Sequence, residues 1–264
     1  MSVSAPASIH PTAIIDPNAI LEPGVQVGAH CIIEDQVRIG PGTVLEPGTI
    51  IKRYTTVGRD NRFGPYAVLG GEPMDLKYKG EISYLEIGDR NVFKEFVTVN
   101  RGTAGGGSLT RIGSDNLFMV YVHVTHDCFI GNHVIIPNGM QMAGHVIVGD
   151  FVTFGASVSV HQFCRIGSYA MVGMASKIAR DVLPYSLADG HPVQHYSLNT
   201  IGLRRRGVGG QDYRLLGEAF RALRTGESLE RFDEAAQTSA HLASFLEFVR
   251  TSSNRGLSGF AGKD

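Results

Sequence analysis

Five of the chain's ten histidines fall between Val122 and Cys164, among them His123, His126, His145 and His161. Inside that stretch the run Val124-Thr125-His126-Asp127-Cys128 sets an imidazole directly beside a carboxylate. An imidazole oriented by a carboxylate can take a proton from a hydroxyl, which is general-base chemistry with the nucleophile supplied by a substrate. Further along lie Gly144 and His145, each eighteen residues beyond a member of that pair. Whether the offset brings these groups together depends on the elements that carry them.

Those elements are written in a repeat. From Ile9 an aliphatic residue, Phe or Met recurs at every sixth position: Ile15, Leu21, Val27, Ile33, Ile39, Leu45, Ile51, Val57, Phe63 and Leu69. The series resumes at Ile87, Phe93 and Val99, and again from Ile112 through Val124, Met142 and Val160 to Ile178. Four residues after the leader comes something small or β-branched, as at Ala13, Cys31, Val122 and Ala170, and the position directly after the leader is often Gly, as at Gly28, Gly58 and Gly131. A period of six fits neither the 3.6 of a helix nor the 2 of a long strand. It fits a short strand, a corner and another short strand on a new face, three faces closing an 18-residue coil of a parallel β-helix. Recurrent Pro and Gly exclude helices over the same span.

In such a coil, residues eighteen apart stack at about 4.8 Å. Gly144 then lies over His126 and Gln162 over Gly144, while His145 lies over Asp127 with Phe163 above. This points to His126 as base, Asp127 as its orienter and the unobstructed Gly144 N–H as a donor to an oxyanion. Two other readings are a polar ladder on a solvated face and a zinc site of His123, His126 and His145. A carboxylate in the same column as His145 suits a base better than a metal ligand, although carboxylates also orient ligands.

The rest of the chain sets the frame. A net charge of −1 gives no field to attract nucleic acid, and no apolar run approaches the roughly 20 residues of a membrane span. Met1 to Ser8 show no basic stretch followed by an apolar one, so no secretory signal is expected and the location expected is cytoplasmic. Cys31, Cys128 and Cys164 have no zinc-knuckle or CxxC spacing and read as buried fillers. Two interruptions, 71–85 and the Gly-rich 104–111, read as loops ejected from the coils. Past Pro184 the sixes stop. Helical spacing appears in Gln211 to Arg224 (Leu215, Ala219, Phe220, Leu223), Ser228 to Ala236 and Ala240 to Arg250. The expected division is 1–190 for the coils and 191–264 for a small helical domain that caps their open end.

With these motifs in view, the chain resembles the UDP-N-acetylglucosamine acyltransferase family over essentially its full length. The resemblance rests on Asp75-Leu76-Lys77-Tyr78, Ile87-Gly88-Asp89-Arg90-Asn91, Arg101-Gly102-Thr103, Gly113-Ser114-Asp115-Asn116-Leu117, His126-Asp127-Cys128, Ala143-Gly144-His145, Val160-His161-Gln162-Phe163-Cys164 and Gly202-Leu203-Arg204-Arg205-Arg206-Gly207. It implies an all-β left-handed parallel β-helix of hexapeptide repeats with a small α-helical C-terminal domain, assembled as a homotrimer with sites between neighbours. The implied reaction opens lipid A synthesis: an (R)-3-hydroxyacyl group passes from the phosphopantetheine of acyl carrier protein to the glucosamine 3-hydroxyl of UDP-N-acetylglucosamine. No separate cofactor and no metal are implied. His126, Asp127 and Gly144 would carry the chemistry, while Asp75, Lys77, His123, His145, His161 and Gln162 line the sugar-nucleotide and acyl sites. Asn199, Arg205 and Arg206 would meet the nucleotide, and Met174 would sit at the acyl-chain ruler. Asn100, Met74 and Ile201 depart from the family pattern, which leaves N-acylation of a 3-amino sugar nucleotide as an alternative. A hexapeptide-coil zinc hydro-lyase is the alternative from another class. The related glucosamine N-acyltransferase carries an extra N-terminal domain, for which coils beginning at Ile9 leave no room.

Overall fold

The computed structural model describes residues 6–262. Two-residue strands alternate with corners, and a typical strand pairs in parallel with the one three further along, as Gln26–Val27 does with Val44–Leu45. The pairing closes three walls, sheets of 11, 9 and 8 strands, into a left-handed parallel β-helix. In a strand such as Gln141–Met142 the first residue faces out and the second is buried. The sixth-position residues therefore fill the prism from Val27 to Ile178. Ile9 stays 49% exposed because the first described coil has nothing stacked below it.

Coils stay in register across both interruptions because an interior asparagine ladder bridges them. Asn91 N donates to Asn61 Oδ1 at 2.9 Å, and Asn116 N donates to Asn91 Oδ1 at 3.0 Å. Beside it the rings of Phe63, Phe93 and Phe118 stack at centroid distances of 4.9 and 4.5 Å. The strands reach into the ends of the expected loops: Val68–Gly71 leads to Tyr84–Ile87, and Thr98–Asn100 leads to Leu109–Ile112. The connections that leave the walls are thus 72–83 and 101–108.

At the far end the first sheet gains an antiparallel hairpin, Ser186–Gly190 with Val193–Leu198, so residues beyond 190 begin as strand and not helix. Helices α1 (Thr200–Arg205), α2 (Gly210–Thr225), α3 (Asp233–Ala236) and α4 (Ala240–Arg250) follow. Their buried residues, including Leu203, Leu216, Phe220, Leu242 and Phe245, form a second core with Leu183, Tyr185 and Leu198. On α2 the deeply buried leucine is Leu216, while Leu215 and Leu223 pack at the margin. Among the described residues no helix is long and apolar enough to cross a membrane.

His195 joins prism and tail. Its Nε2 accepts from Leu183 N at 2.9 Å and its Nδ1 lies 3.2 Å from Gly259 O, which makes Nδ1 the protonated nitrogen of a neutral ring. Burial pushes its pKa down to about 4. The unfolded chain, with a histidine near 6.5, binds the extra proton first, so this group withdraws stability as pH falls from about 6.5 to about 4 and changes nothing above that window. The urea midpoint is expected to fall across that interval by the equivalent of about 3 kcal/mol, and His195→Gln should flatten the fall.

Candidate active site

The corner between the second and third sheets, from strand His123–Val124 to strand Phe129–Ile130, carries His126 and Asp127. Val124 and Cys128 point inward, so the corner pair must point away from the core. Asp127 has φ 61°, and this left-handed conformation is what reverses the chain and aims its side chain outward. The coil above repeats the geometry with Gly144 and His145, whose φ is also 61°. His145 N donates to His126 O at 3.1 Å and Phe163 N to Gly144 O at 3.1 Å. The His145 and Phe163 rings stack 4.5 Å apart at 11°. The columns are those expected from the eighteen-residue offset.

His126 Nδ1 lies 2.7 Å from Asp127 Oδ2. A carboxylate only accepts, so Nδ1 carries the proton of the neutral ring and Nε2 is its basic nitrogen. His145 Nε2 stands 3.6 Å from the same Oδ2, its ring edge-on to His126 at 5.3 Å. Burial lowers the basicity of His145, while Asp127 pulls the other way. Gly144 leaves the room His126 needs, since a Cβ there would sit 2.7 Å from His126 Cε1. The adjacent thiol is no nucleophile: Cys128 Sγ donates to Ala143 O at 3.2 Å, and burial pushes its pKa up to about 12.

The second ejected connection contributes what the sequence reading did not include. Asp127 turns outward, yet its side chain is 0% exposed, because 101–108 folds over it. Thr103 N donates to Oδ1 and Thr103 Oγ1 to Oδ2, each at 2.7 Å. Asp127 N donates to Thr110 Oγ1 at 2.8 Å. The signal lay in the shift of phase: with Val99 paired to Val124, the chain leaves the wall beside Asp127.

Other expected residues distribute over three corners. Asp75 and Lys77 sit on the first connection, Lys77 N donating to Asp75 Oδ1 at 2.9 Å. They line a cleft of about 360 Å³ with Tyr78, Thr103, His145 and Phe163. His123 is on the strand beside the dyad, 2.7 Å from Thr98 Oγ1, and burial lowers its pKa. His161 and Gln162 are exposed, Gln162 in the column above Gly144. Met174, 72% exposed, belongs to the corner between the first and second sheets. Asn199 caps α1 by accepting from Gly202 N at 3.1 Å and donates to Tyr169 O at 2.9 Å. Arg206 lies 4.8 Å over the Phe151 ring, and Arg205 is exposed. Phe151 and Tyr169 form the corner between the third and first sheets, so one chain does not bring Asn199, Arg205 and Arg206 to the dyad. Ligand atoms of His126, Asp127 and His145 lie within 4.8 Å of one another, a spacing that could hold a metal ion.

Stacked hexapeptide coils bearing an oriented imidazole on one corner define the class of hexapeptide-repeat acyltransferases. A family model described as domain 2 of UDP N-acetylglucosamine O-acyltransferase matches residues 181–258, and a bacterial transferase hexapeptide model matches residues 6–41. An acyl-[acyl-carrier-protein]–UDP-N-acetylglucosamine O-acyltransferase of Stenotrophomonas maltophilia is 46% identical, over 94% of this chain and 97% of its own. The enzyme so named in Alkalilimnicola ehrlichii is 48% identical, over 94% and 98%. Among solved structures, the UDP-N-acetylglucosamine acyltransferase of Francisella novicida superposes with a TM-score of 0.92 at 33% identity, over 96% of this chain and 95% of that one. The UDP-N-acetylglucosamine O-acyltransferase of Moraxella catarrhalis gives 0.91 at 39%, over 94% and 98%. The chain belongs to the acyl-ACP–UDP-N-acetylglucosamine O-acyltransferase family.

Gly144→Ala tests the packing at its tightest point. The added methyl must push the His126 ring aside, and acyl transfer is expected to slow on the order of 10²-fold at an unchanged melting temperature.

Proposed function

We propose that this protein transfers an (R)-3-hydroxyacyl group from acyl carrier protein to the glucosamine 3-hydroxyl of UDP-N-acetylglucosamine, the opening step of lipid A synthesis, in the cytoplasm. The observation that carries the mechanism is the 2.7 Å contact between His126 Nδ1 and the sealed Asp127 carboxylate. His126 Nε2 takes the proton of the sugar hydroxyl as its oxygen attacks the thioester carbonyl. The oxyanion of the tetrahedral intermediate meets the Gly144 N–H, which among the described residues makes no backbone hydrogen bond. The intermediate collapses, the C–S bond breaks, and the phosphopantetheine thiol leaves with the proton from the imidazolium. No separate cofactor enters the scheme.

Asp75, Lys77, His123, His145, His161 and Gln162 line the sugar and acyl sites. Arg205 and Arg206 meet the diphosphate, to which guanidinium forks are well matched, and Asn199 holds the turn beside them. Because those three residues stand on a different corner from the dyad, a neighbouring copy supplies them, and a homotrimer completes three equivalent sites.

Incubation with UDP-N-acetylglucosamine and 3-hydroxyacyl-ACPs should show turnover that His126→Ala lowers by about 10²–10⁴-fold. A folded variant with near wild-type turnover would remove the base. Comparison with the 3-amino analogue decides the acceptor atom. Of the three departures, Asn100 is buried and donates to Glu72 O at 2.7 Å, so it braces the first connection, while Met74 and Ile201 are exposed. A zinc-dependent reading rests on the clustered ligand atoms of His126, Asp127 and His145, and elemental analysis of the active protein tests it.

Met174 serves as the stop of the acyl chain in this scheme. Across acyl-ACPs of graded length the wild type should prefer a shorter chain than Met174→Gly does; an unchanged profile would dismiss Met174 as the ruler.

A further inference from the structure

We infer that Thr103, on the second ejected connection, is a positioning residue that holds the Asp127 carboxylate in the one orientation in which it can serve His126. The inference rests on the reading of His126 as general base. The coil provides Asp127 with a backbone conformation, His126 as a hydrogen-bond partner and His145 Nε2 at 3.6 Å, beyond hydrogen-bond length, but among the described residues it provides no other hydrogen-bond donor to the carboxylate. Both remaining donors come from Thr103, the N–H to Oδ1 and the hydroxyl to Oδ2, each at 2.7 Å. Two donors from one residue onto two oxygens stop rotation of the carboxylate about its Cβ–Cγ bond. They also stabilise a charge that has been taken wholly out of water, which an unpartnered carboxylate could not bear.

The direction of the hydroxyl is set in turn. Thr103 Oγ1 accepts from Gly106 N at 3.2 Å, so its proton is left to point at Asp127. Thr103 O accepts from Gly106 N at 3.0 Å and from Ser108 N at 2.7 Å, which closes the turn tightly. The connection presses on its target: a Cβ on Gly106 would lie 2.1 Å from Asp127 Cγ. Two residues upstream, the buried Arg101 guanidinium donates to Gly70 O at 2.7 Å and to Tyr78 OH at 3.2 Å. The segment Arg101-Gly102-Thr103 thereby ties the connection bearing Asp75 and Lys77 to the carboxylate of the dyad. Thr103 and those two residues line the same cleft.

The hydroxyl and the His126 ring share one oxygen, Oδ2, and this yields a readout that simple loosening would not produce. Removing the hydroxyl leaves more of the Oδ2 charge to the imidazolium, so the basicity of His126 rises. In the protein as it stands, Thr103→Val is expected to lower kcat on the order of 10²-fold, the cost of displacing a reacting group by about 1 Å, with KM for both substrates nearly unchanged. The acid limb of its pH–rate profile should move to higher pH, and Thr103→Ser should restore both rate and limb. Gly106→Ala, which displaces the same carboxylate by contact, should lower kcat by a similar factor and provides a second route to the answer. Thr103→Val with kcat within about twofold of wild type, or with a lowered kcat and an unmoved acid limb, would overturn the inference. His126→Ala, run alongside, separates the two failures: an inactive His126→Ala beside a fully active Thr103→Val dismisses only Thr103, whereas an active His126→Ala brings down the base and its positioning together.

Discussion

Between neighbouring coils the same axial hydrogen bonds recur, from Gln26 N to Thr43 O at 2.9 Å near one end to Gly173 N to Ala188 O at 2.8 Å near the other. Strands of two residues could not stand alone, and those inside the stack hold because each is clamped on both sides along the axis. The ladder also supports the corners. Residues such as Tyr54, Asp127, His145 and Phe151 adopt φ near 60°, a conformation that costs a side-chain-bearing residue roughly 1–2 kcal/mol. Several of their amides donate along the axis, as His145 N does to His126 O and Phe151 N does to Asn132 O at 2.8 Å. Corner side chains consequently form straight outward columns, and His133, Phe151, Tyr169 and Tyr185 stack in one of them at 4.7 to 5.2 Å.

Columns of this kind are a rigid mount for chemistry. The backbone above and below His126 cannot move without breaking the ladder, which holds Gly144 over the backbone of His126. A corner is by its nature open to water, however, and an exposed carboxylate would orient an imidazole only weakly. The second connection removes that weakness by covering Asp127 with Thr103 and Gly106. Scaffold and loop thus divide the work: the coil sets the spacing of the groups, and the loop sets the dielectric around them.

The prism has three corners, and the expected functional residues do not share one. The dyad, His145 and the first connection gather between the second and third sheets. Asn199 and Arg206 attach to the column of Phe151 and Tyr169, between the third and first. A three-walled prism suits association about a threefold axis, in which a corner of one copy faces a different corner of the next. It is on this separation of the residues that the proposed assembly rests.

The period of six was enough to derive the coil, its buried leaders and the columns that bring Gly144 over His126 and His145 over Asp127, because a coil of constant length converts sequence offset directly into stacking. Ala240 to Arg250 was equally legible as a helix, since its Leu242, Phe245 and Leu246 keep one face. Three matters waited for tertiary structure. The strand Val193–Leu198 shows no sixfold pattern, because it pairs antiparallel at the end of the stack and answers to the second core. Leu216, more deeply buried than Leu215, depends on how α2 is rotated against that core. The seal over Asp127 depends on where a loop of small residues comes to rest, and periodicity carries no information about a segment that has left the repeat.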